Sequence, residues 1–273
     1  MANDGGRRIR AVRIACDLLG ALDGRGRAGV TELATALGHS KSTVYSHLQT
    51  LDDAGYVTRE GTAYRLSYRH IGIAERVRER IPGIGAARDA LDELTAATGE
   101  VALFAAEEDG RVVYLHRVTD GPGEELLPRQ AEAWPVNLYE TGEQNPDVLP
   151  TVGSDAPMHC TAAGKALLAR MDRTRVEAVL DRHGLDRRTH NTVVDRGTLF
   201  EELEATDRRG YALEHEENVP GMRSVGVTVV ADDRLVGAVS LLGPINRLQD
   251  GRISNELHGA LLDCAETIAG AVD

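Results

Sequence analysis

The chain has 273 residues, of which 42% are hydrophobic and only 4% are aromatic, which is enough for two domains with aliphatic cores. Its three cysteines are far apart and odd in number, which argues against a disulfide framework and favours a reducing compartment. No stretch approaches roughly 18 consecutive apolar residues, so neither a membrane span nor a signal peptide is expected. We therefore expect a cytoplasmic protein that does not enter a membrane.

The formal net charge of -12 is unevenly distributed along the chain. Residues 1–80 carry 13 Lys and Arg against 9 Asp and Glu, whereas the other residues carry 18 against 34. A basic front and an acidic remainder are typical of a protein that contacts phosphate through one end only. Lys41 and Lys165 are the only lysines. Few lysines among many acids resemble the proteins of a halophilic archaeon, and a GC-rich genome that favours arginine codons would give the same usage.

The sequence from Ile9 to Gly38 predicts two helices. Apolar side chains recur near helical spacing from Ile9 to Leu22, and Gly26 follows them. The segment VTELATALG predicts a second helix, with Thr31 as its N-cap and Gly38 at its end.

A third helix is predicted in HSKSTVYSHLQTLDDAGY, because Val44, Leu48 and Leu51 form a single apolar stripe. Two helices joined by a short turn that contains glycine make a helix-turn-helix, whose second helix enters the major groove of DNA. The residues expected to face DNA lie outside the stripe and are Ser40, Lys41, Ser42, Thr43, Tyr45, Ser46, His47 and Gln49.

The next segment, YVTREGTAYRL, alternates apolar and polar residues around Gly61 and predicts a short hairpin. A helix-turn-helix followed by a hairpin is a winged helix, and we expect Arg59, Thr62 and Arg65 near the phosphate backbone. The alternative is a three-helix module that binds another protein. The small polar face of the third helix suits a DNA groove better.

Residues 68–83 are predicted to form a helical linker between two domains. The segment SYRHIGIAERVRER has an apolar stripe through Ile71 and Val77, and a Pro-Gly pair follows it. The stripe is expected to contact a second copy of the chain or to pack locally. These boundaries predict a DNA-binding domain at 1–67 and a second domain at 84–273.

The second domain is predicted to combine antiparallel strands with helices, which is an α+β fold. One hairpin is expected at Asp109-Gly110 and another near Asp232, with helices on either side of them in sequence. Leu262 is among the residues expected to pack the last helix. Residues 120–150 are rich in Pro, Gly and acids and are predicted to be mostly loop.

The stretch MHCTAAGKALLAR contains a Cys beside a His and a Gly-Lys pair. A phosphate-binding loop would need glycine five residues before that pair and Ser or Thr after it, where the chain has His159 and Ala166. A nucleophilic Cys160 would need a base, and the adjacent His159 points to the opposite face of an extended segment. A plain helix start and an anion site at a helix N-terminus, with Lys165 nearby, remain as alternatives.

Several segments, in this order, resemble the IclR-type bacterial and archaeal transcription regulators. They are GHSKSTVYSHLQTLDDAGYV, VGSDAPMHCTAAGKALLA, RTHNTV, LEATDRRGYALEHEENVPGMRSVGVTVV and AVSLLGPINRL. The resemblance covers nearly the whole chain and implies an N-terminal winged helix-turn-helix, a linker helix and a GAF-like effector domain. It also implies a homodimer, or a dimer of dimers, that binds double-stranded operator DNA and a small organic-acid effector, with no cofactor and no metal.

The resemblance further implies the effector-binding residues, which are Met158, Ala162, Ala163, Gly164, Glu214, Ser224 and Ser240. The family usually has Cys where this chain has Ser224, and often a polar residue where it has Leu242. The effector is therefore expected to differ from the short keto acids that some members bind. A polar pocket of this kind favours a hydroxylated acid such as a sugar acid.

From the sequence we predict an effector-responsive, DNA-binding transcription regulator that is not an enzyme. Two alternatives stay open at this point. One is a small-molecule enzyme that uses Cys160, and the other is a regulator whose C-terminal domain serves only in oligomerisation.

Overall fold

The computed structural model describes residues 9–119 and 149–272. The chain separates into two compact units, Met1–Arg80 and Ile81–Asp273. Most of the predicted loop at 120–150 lies outside the described residues. No helix in the described part of the chain is both long and apolar enough to cross a membrane.

The first unit packs three helices against a three-stranded antiparallel sheet, and a fourth helix follows. Its elements are α1 (Arg10–Arg25), β1 (Ala28–Gly29), α2 (Val30–Leu37), α3 (Lys41–Asp53), β2 (Val57–Glu60), β3 (Ala63–Leu66) and α4 (Arg69–Arg78). The strands pair in the order β1-β3-β2. Val44 and Leu48 are fully buried beneath α3, as their spacing predicts. Helices α2 and α3 form the helix-turn-helix, and β2 and β3 form the wing.

The predicted N-cap of α2 is wrong. The helix begins at Val30, and Gly29 is its N-cap. Glu32 reaches back and accepts the backbone N–H of Gly29 at 2.6 Å, which satisfies a donor before the first turn. Thr31 therefore lies inside the helix.

Helix α4 occupies most of the predicted linker and leaves its apolar stripe exposed. Ile71 is 63% exposed and Val77 is 57% exposed. The N-terminal end of α4 is tied to its own unit, because Arg69 donates to the carbonyl of Ala54 at 2.9 Å and a ring nitrogen of His70 lies 2.8 Å from the carbonyl of Tyr56. The helix is thus anchored at one end, and its apolar side chains have no core to enter within this unit.

The described part of the second unit contains a six-stranded antiparallel sheet with helices on both faces. Its elements are α5 (Ile84–Thr98), β4 (Val101–Glu108), β5 (Arg111–Val118), β6 (Asp155–Pro157), α6 (Ala162–Ala169), α7 (Arg173–His183), α8 (Arg196–Arg209), β7 (Ala212–His215), β8 (Met222–Ala231), β9 (Arg234–Pro244) and α9 (His258–Ala269). The strand order is β6-β5-β4-β9-β8-β7. The mixture of helices and antiparallel strands confirms the predicted α+β class. Strands β6 and β7 are too short to show in the sequence alternation.

Both predicted hairpins are present, between β4 and β5 and between β8 and β9. Their turns have left-handed backbone at Asp109 (φ 56°), Gly110 (φ 81°), Asp232 (φ 46°) and Asp233 (φ 61°). Two consecutive residues with positive φ match the right-handed twist of the flanking strands, and aspartate tolerates that conformation better than most residues.

Alternation along the central strands separates two apolar cores. Phe104 on β4 and Val239 and Leu241 on β9 pack with α5 and α9. Leu103 on β4 and Ser240 on β9 face the opposite side, toward α6. A polar residue at such an alternate position is therefore aimed at the start of α6.

The last helix begins irregularly. A short helical turn, Asp250–Arg252, and a π-helical turn, Ile253–Leu257, precede α9. Leu261 is fully buried, but Leu262 is 39% exposed, so its predicted packing role is wrong. Adjacent residues lie about 100° apart around a helix, and the buried face of α9 passes through Leu261.

Two glycines allow the start of α6 to pack closely against its surroundings. At Gly226 on β8, an added Cβ would lie 3.1 Å from the carbonyl carbon of Ala162 and 3.3 Å from the nitrogen of Ala163. At Gly164, an added Cβ would collide with the backbone of Met158. The helix start is therefore held between a strand and the turn that precedes it.

Replacing Gly226 with Ala should destabilise the protein, because the new methyl group would press on helix backbone that has no rotamer to change. We expect a loss of about 1–3 kcal/mol in the free energy of unfolding, measured by urea denaturation. Gly259→Ala on α9 is the control, because nothing lies within 4 Å of its added Cβ. The control should be neutral or stabilise by up to about 1 kcal/mol. Equal stability of the two variants would show that α6 moves away from β8 without cost.

Candidate functional site

The exposed face of α3 is the candidate DNA-reading surface. Between Lys41 and Gln49 the exposed residues are Lys41, Ser42, Tyr45, Ser46 and Gln49, of which only Lys41 is charged. Two acids, Asp52 and Asp53, are exposed at the C-terminal end of the helix. The face therefore combines one phosphate-seeking cation with groups that can read base edges.

Three other predicted contacts are engaged within the helix itself. The Ser40 hydroxyl caps α3 and accepts the Thr43 N–H at 3.1 Å, and the two hydroxyls lie 2.8 Å apart. His47 is half-buried, with Nδ1 2.8 Å from the Thr43 carbonyl oxygen. Gln49 donates to the Tyr45 hydroxyl at 3.1 Å, so these two long side chains present a joint polar surface.

The tip of the wing carries Arg59 and Thr62, which are both exposed. Arg59 Nε donates to the carbonyl of Gly61 at 3.0 Å. Arg65 is paired with Glu60 at 2.7 Å, so its charge is already compensated inside the hairpin. Arg59 is therefore the better candidate for a phosphate contact.

The second unit contains a small cavity, called here the inner cavity, between the start of α6 and strands β4, β7, β8 and β9. Five of the seven predicted effector residues line it, and they are Ala162, Ala163, Glu214, Ser224 and Ser240. Tyr114, Thr161, Asn218 and Leu242 are among the other lining residues. Met158 and Gly164 are not, because the packing of Gly164 against the Met158 turn puts both behind the helix start.

A larger outer cavity adjoins the inner one. The inner cavity measures about 30 Å³ and the outer about 240 Å³. Tyr114, Pro150, Asn218 and Val219 line both. A volume of about 30 Å³ holds one or two waters, so an organic acid would have to extend into the outer cavity.

The start of α6 presents free backbone donors to the inner cavity. Thr161 is the N-cap, and its hydroxyl accepts the Gly164 N–H at 3.2 Å. The N–H of Gly164, one of the predicted effector-binding residues, is therefore engaged within the helix start and is not free for a ligand. The N–H groups of Ala162 and Ala163 have no hydrogen-bond partner among the described residues. Such donors, at the positive end of the helix dipole, attract anions.

Glu214 is a buried carboxyl in the wall of the inner cavity. Its Oε1 accepts the N–H groups of Glu217 at 2.7 Å and Asn218 at 3.2 Å, and its Oε2 accepts the Ser224 hydroxyl at 2.9 Å. Burial raises the pKa of Glu214 to about 7, although these hydrogen bonds oppose the shift. Near neutral pH the carboxyl therefore gains and loses a proton, and its neutral form does not repel an anion. Ser224, whose proton goes to Glu214, offers a ligand mainly its lone pairs.

Lys165 does not supply free charge to the cavity, contrary to the prediction. Its side chain is buried, and Nζ donates to Glu217 Oε1 at 2.6 Å and to the Leu213 carbonyl at 3.0 Å. Its charge is compensated by this buried ion pair, which ties α6 to the loop after β7.

Cys160 lies in a site that keeps its thiol protonated. Its sulfur is fully buried, 3.8 Å from the Pro157 carbonyl and 3.9 Å from Asn218 Oδ1. Burial raises the pKa of Cys160 to about 12. The neighbouring His159 is bonded to the Asp186 carbonyl at 3.1 Å, and burial lowers the pKa of its ring. A nucleophilic thiolate needs a cation or base that outweighs burial, and here the charges of Arg188 and Lys165 lower the pKa of Cys160 less than burial raises it.

Sequence reasoning missed three residues at the site. Tyr114 and Asn218 belong to both cavities, and Arg188 lines the outer one. Arg188 lies in the RTHNTV segment that carries part of the family resemblance, but no periodicity marks it as a wall residue. Its neighbours in space come from β5 and from the loops around 150 and 218, which are remote in sequence.

A winged helix-turn-helix with a polar reading face, and a separate domain with a cavity lined by both polar and apolar groups, define a ligand-sensing DNA-binding regulator. The family model for the IclR helix-turn-helix domain matches residues 11–61, and the model for the bacterial transcriptional regulator IclR C-terminal domain matches residues 128–270. The second match alone spans more than half of the chain. The chain belongs to the IclR family of transcriptional regulators, which bind DNA and carry a C-terminal effector-binding domain.

Known proteins resemble the chain over nearly its full length. A probable HTH-type transcriptional regulator, ArcR of Halobacterium salinarum, is 26% identical over 98% of this chain and 95% of its own. The IclR structure from Thermotoga maritima has a TM-score of 0.71 at 25% identity and 96% coverage of both chains. An IclR homologue from Microbacterium hydrocarbonoxydans, solved with 4-hydroxybenzoate, has a TM-score of 0.73 at 17% identity, covering 96% of this chain and 98% of its own, which shows a shared fold.

The environment of the three cysteines predicts their reactivity. Cys16 is exposed, whereas Cys160 and Cys264 are buried and burial raises the pKa of each to about 12. Iodoacetamide at pH 8 should therefore alkylate Cys16 in the native protein and the other two only after unfolding. Peptide mass spectrometry before and after denaturation in urea measures this. Rapid alkylation of Cys160 in the native protein would contradict the buried-thiol assignment.

Proposed function

We propose that this regulator is controlled by a small organic acid that binds in the inner and outer cavities of the second unit. The observation that carries the proposal is the pair of N–H groups, at Ala162 and Ala163, that have no partner among the described residues and lie in the wall of a cavity lined by both polar and apolar groups. A carboxylate would accept from these groups, Ser240 would donate to a hydroxyl or keto oxygen, and Ser224 and Glu214 would accept from hydroxyl groups of the acid. Met158 and Gly164 would support the helix start from behind.

Carboxylic-acid recognition has a precedent in the same fold. The homologue from Microbacterium hydrocarbonoxydans was solved with 4-hydroxybenzoate, which is a small carboxylic acid. Polar groups on several sides of the inner cavity favour a hydroxylated acid, such as a sugar acid, for this chain. The buried, protonated Cys160 and the absence of a partner base within the described residues argue against an enzyme at the same position.

For DNA binding, α3 would enter the major groove with Tyr45, Ser46 and Gln49 toward the base edges. Ser40, Ser42, Thr43 and His47 would border the contact, and Thr62 would join Arg59 on the wing. Lys41 and Arg59 would neutralise phosphates.

The functional form would be a homodimer, or a dimer of dimers, in which α4 contributes to pairing. Its exposed Ile71 and Val77 support this role, since an apolar stripe gains stability when it is covered. A two-fold dimer would bind an operator with two related half-sites.

Lys41 and Gln49 should differ in the kind of DNA affinity they contribute. Lys41→Ala should weaken binding to operator and random duplexes alike and reduce the slope of log affinity against log salt by about one. Gln49→Ala should reduce only the preference for the operator, by about 1–3 kcal/mol, because its amide suits an adenine edge. Fluorescence anisotropy on an operator selected from random duplexes, at several salt concentrations, measures both.

The control for Lys41 is Arg88→Ala, an exposed arginine on α5 of the second unit, which should leave the salt slope unchanged. A sequence-selective loss in Lys41→Ala would move that residue into base readout. An unchanged operator preference in Gln49→Ala would mean that α3 is rotated differently in the groove.

Ala163→Leu should abolish the effector response and leave DNA binding by the ligand-free protein intact. The larger side chain would fill the inner cavity beside the free N–H groups. Cys160→Ala is the matched control, because it removes a packed sulfur behind the same helix start at a cost of about 1 kcal/mol. The measurement is release of operator DNA on addition of organic acids. Loss of the response in Cys160→Ala at normal stability would contradict the proposal.

A further inference from the structure

The outer cavity carries one cation whose charge no described residue neutralises. Arg188 lines it, and its guanidinium makes no hydrogen bond and no ion pair with any residue in 9–119 or 149–272. Asp155, the only acidic side chain that the described residues contribute to this wall, is paired with Arg111. Arg188 is exposed, so the outer cavity has an unpaired and hydrated positive charge at its rim.

The backbone that carries Arg188 is firmly held. Its N–H donates to the Thr192 hydroxyl at 3.0 Å, and that hydroxyl donates to the Glu217 carbonyl at 2.7 Å. The buried Thr189 hydroxyl donates to the Glu216 carbonyl at 2.6 Å. The loop of Arg188 is thus fastened to the segment that carries Asn218, which lines both cavities. Only the side chain of Arg188, and not its backbone, would therefore have to be ordered on binding.

The two cavities offer an anion a contact at each end. The N–H groups of Ala162 and Ala163 lie in the wall of the inner cavity. The outer cavity shares four lining residues with the inner one, and Arg188 lies in its wall. We propose, on the basis of the function proposed above, that the effector is a dicarboxylate. One carboxylate meets the start of α6, and the second pairs with the Arg188 guanidinium.

The charges of the site are consistent with two negative groups. Arg188 offers a full positive charge and two parallel donors, which match a carboxylate in geometry. The helix N-terminus contributes about half a charge at the other end. Lys165 adds nothing, since Glu217 compensates it. A monocarboxylate would leave one of the two anion contacts empty.

The test compares acids that differ only in the second carboxylate: glutarate with pentanoate, adipate with hexanoate, and galactarate with galactonate. Isothermal titration calorimetry on the full-length protein should give at least about tenfold tighter binding for the dicarboxylate of the pair that fits. Arg188→Gln should remove that advantage and leave the affinity for the monocarboxylate unchanged. Arg188→Lys should retain part of it.

Arg187→Gln is the matched control, because Arg187 is adjacent and exposed but does not line either cavity. Equal binding of both members of every pair, or equal loss of both in Arg188→Gln, would overturn the dicarboxylate inference and leave the acid-effector proposal standing. No binding of any acid to the wild type, with operator binding intact, would overturn both. Ala163→Leu should lose both members of the pair, which separates the inner contact from the outer one.

Discussion

The buried ion pair between Lys165 and Glu217 is the interaction on which the geometry of the cavity depends. Both side chains are withdrawn from water, so each must be compensated by the other, and loss of either partner would leave a buried charge. The same Glu217 donates its N–H to Glu214 and accepts the Thr192 hydroxyl at its carbonyl. One residue therefore fixes the helix that offers donors, the strand that carries the buried carboxyl and the loop that carries the outer arginine.

The sequence predicted the framework of the fold well, because regular periodicity and turn chemistry act locally. The apolar stripe of α3, the Asp109-Gly110 turn and the glycine after α2 each depend on residues within a few positions of one another. The errors fall where a tertiary contact or a neighbouring residue overrides the local signal. The N-cap of α2 is Gly29, whose N–H is bonded by Glu32, and not Thr31. On α9 the packed face passes through Leu261, so Leu262 is exposed.

The candidate site was only partly predictable, since it is assembled from remote segments. Family resemblance supplied the lining residues of α6 and of strands β7 to β9, and alternation along β9 agrees with the inward direction of Ser240. It could not tell that Gly164 is small because of Met158 rather than because of a ligand. Nor could it show that Lys165 is neutralised by a residue 52 positions away. Arg188 had no local pattern at all, and only the folded chain brings it to the outer cavity.

Burial disfavours the charged form of a side chain, and in this domain that effect has three different consequences. It raises the pKa of Cys160 to about 12, which keeps the thiol protonated and argues against the alternative in which Cys160 is a nucleophile. It raises the pKa of Glu214 to about 7, so near neutral pH this carboxyl exists in both its charged and its neutral form. It forces Lys165 into an ion pair instead of a ligand contact. The anion that we propose as effector would therefore be held by groups whose charge or polarity burial does not remove: backbone N–H groups, which carry no titratable proton, and an arginine at the solvent-exposed rim.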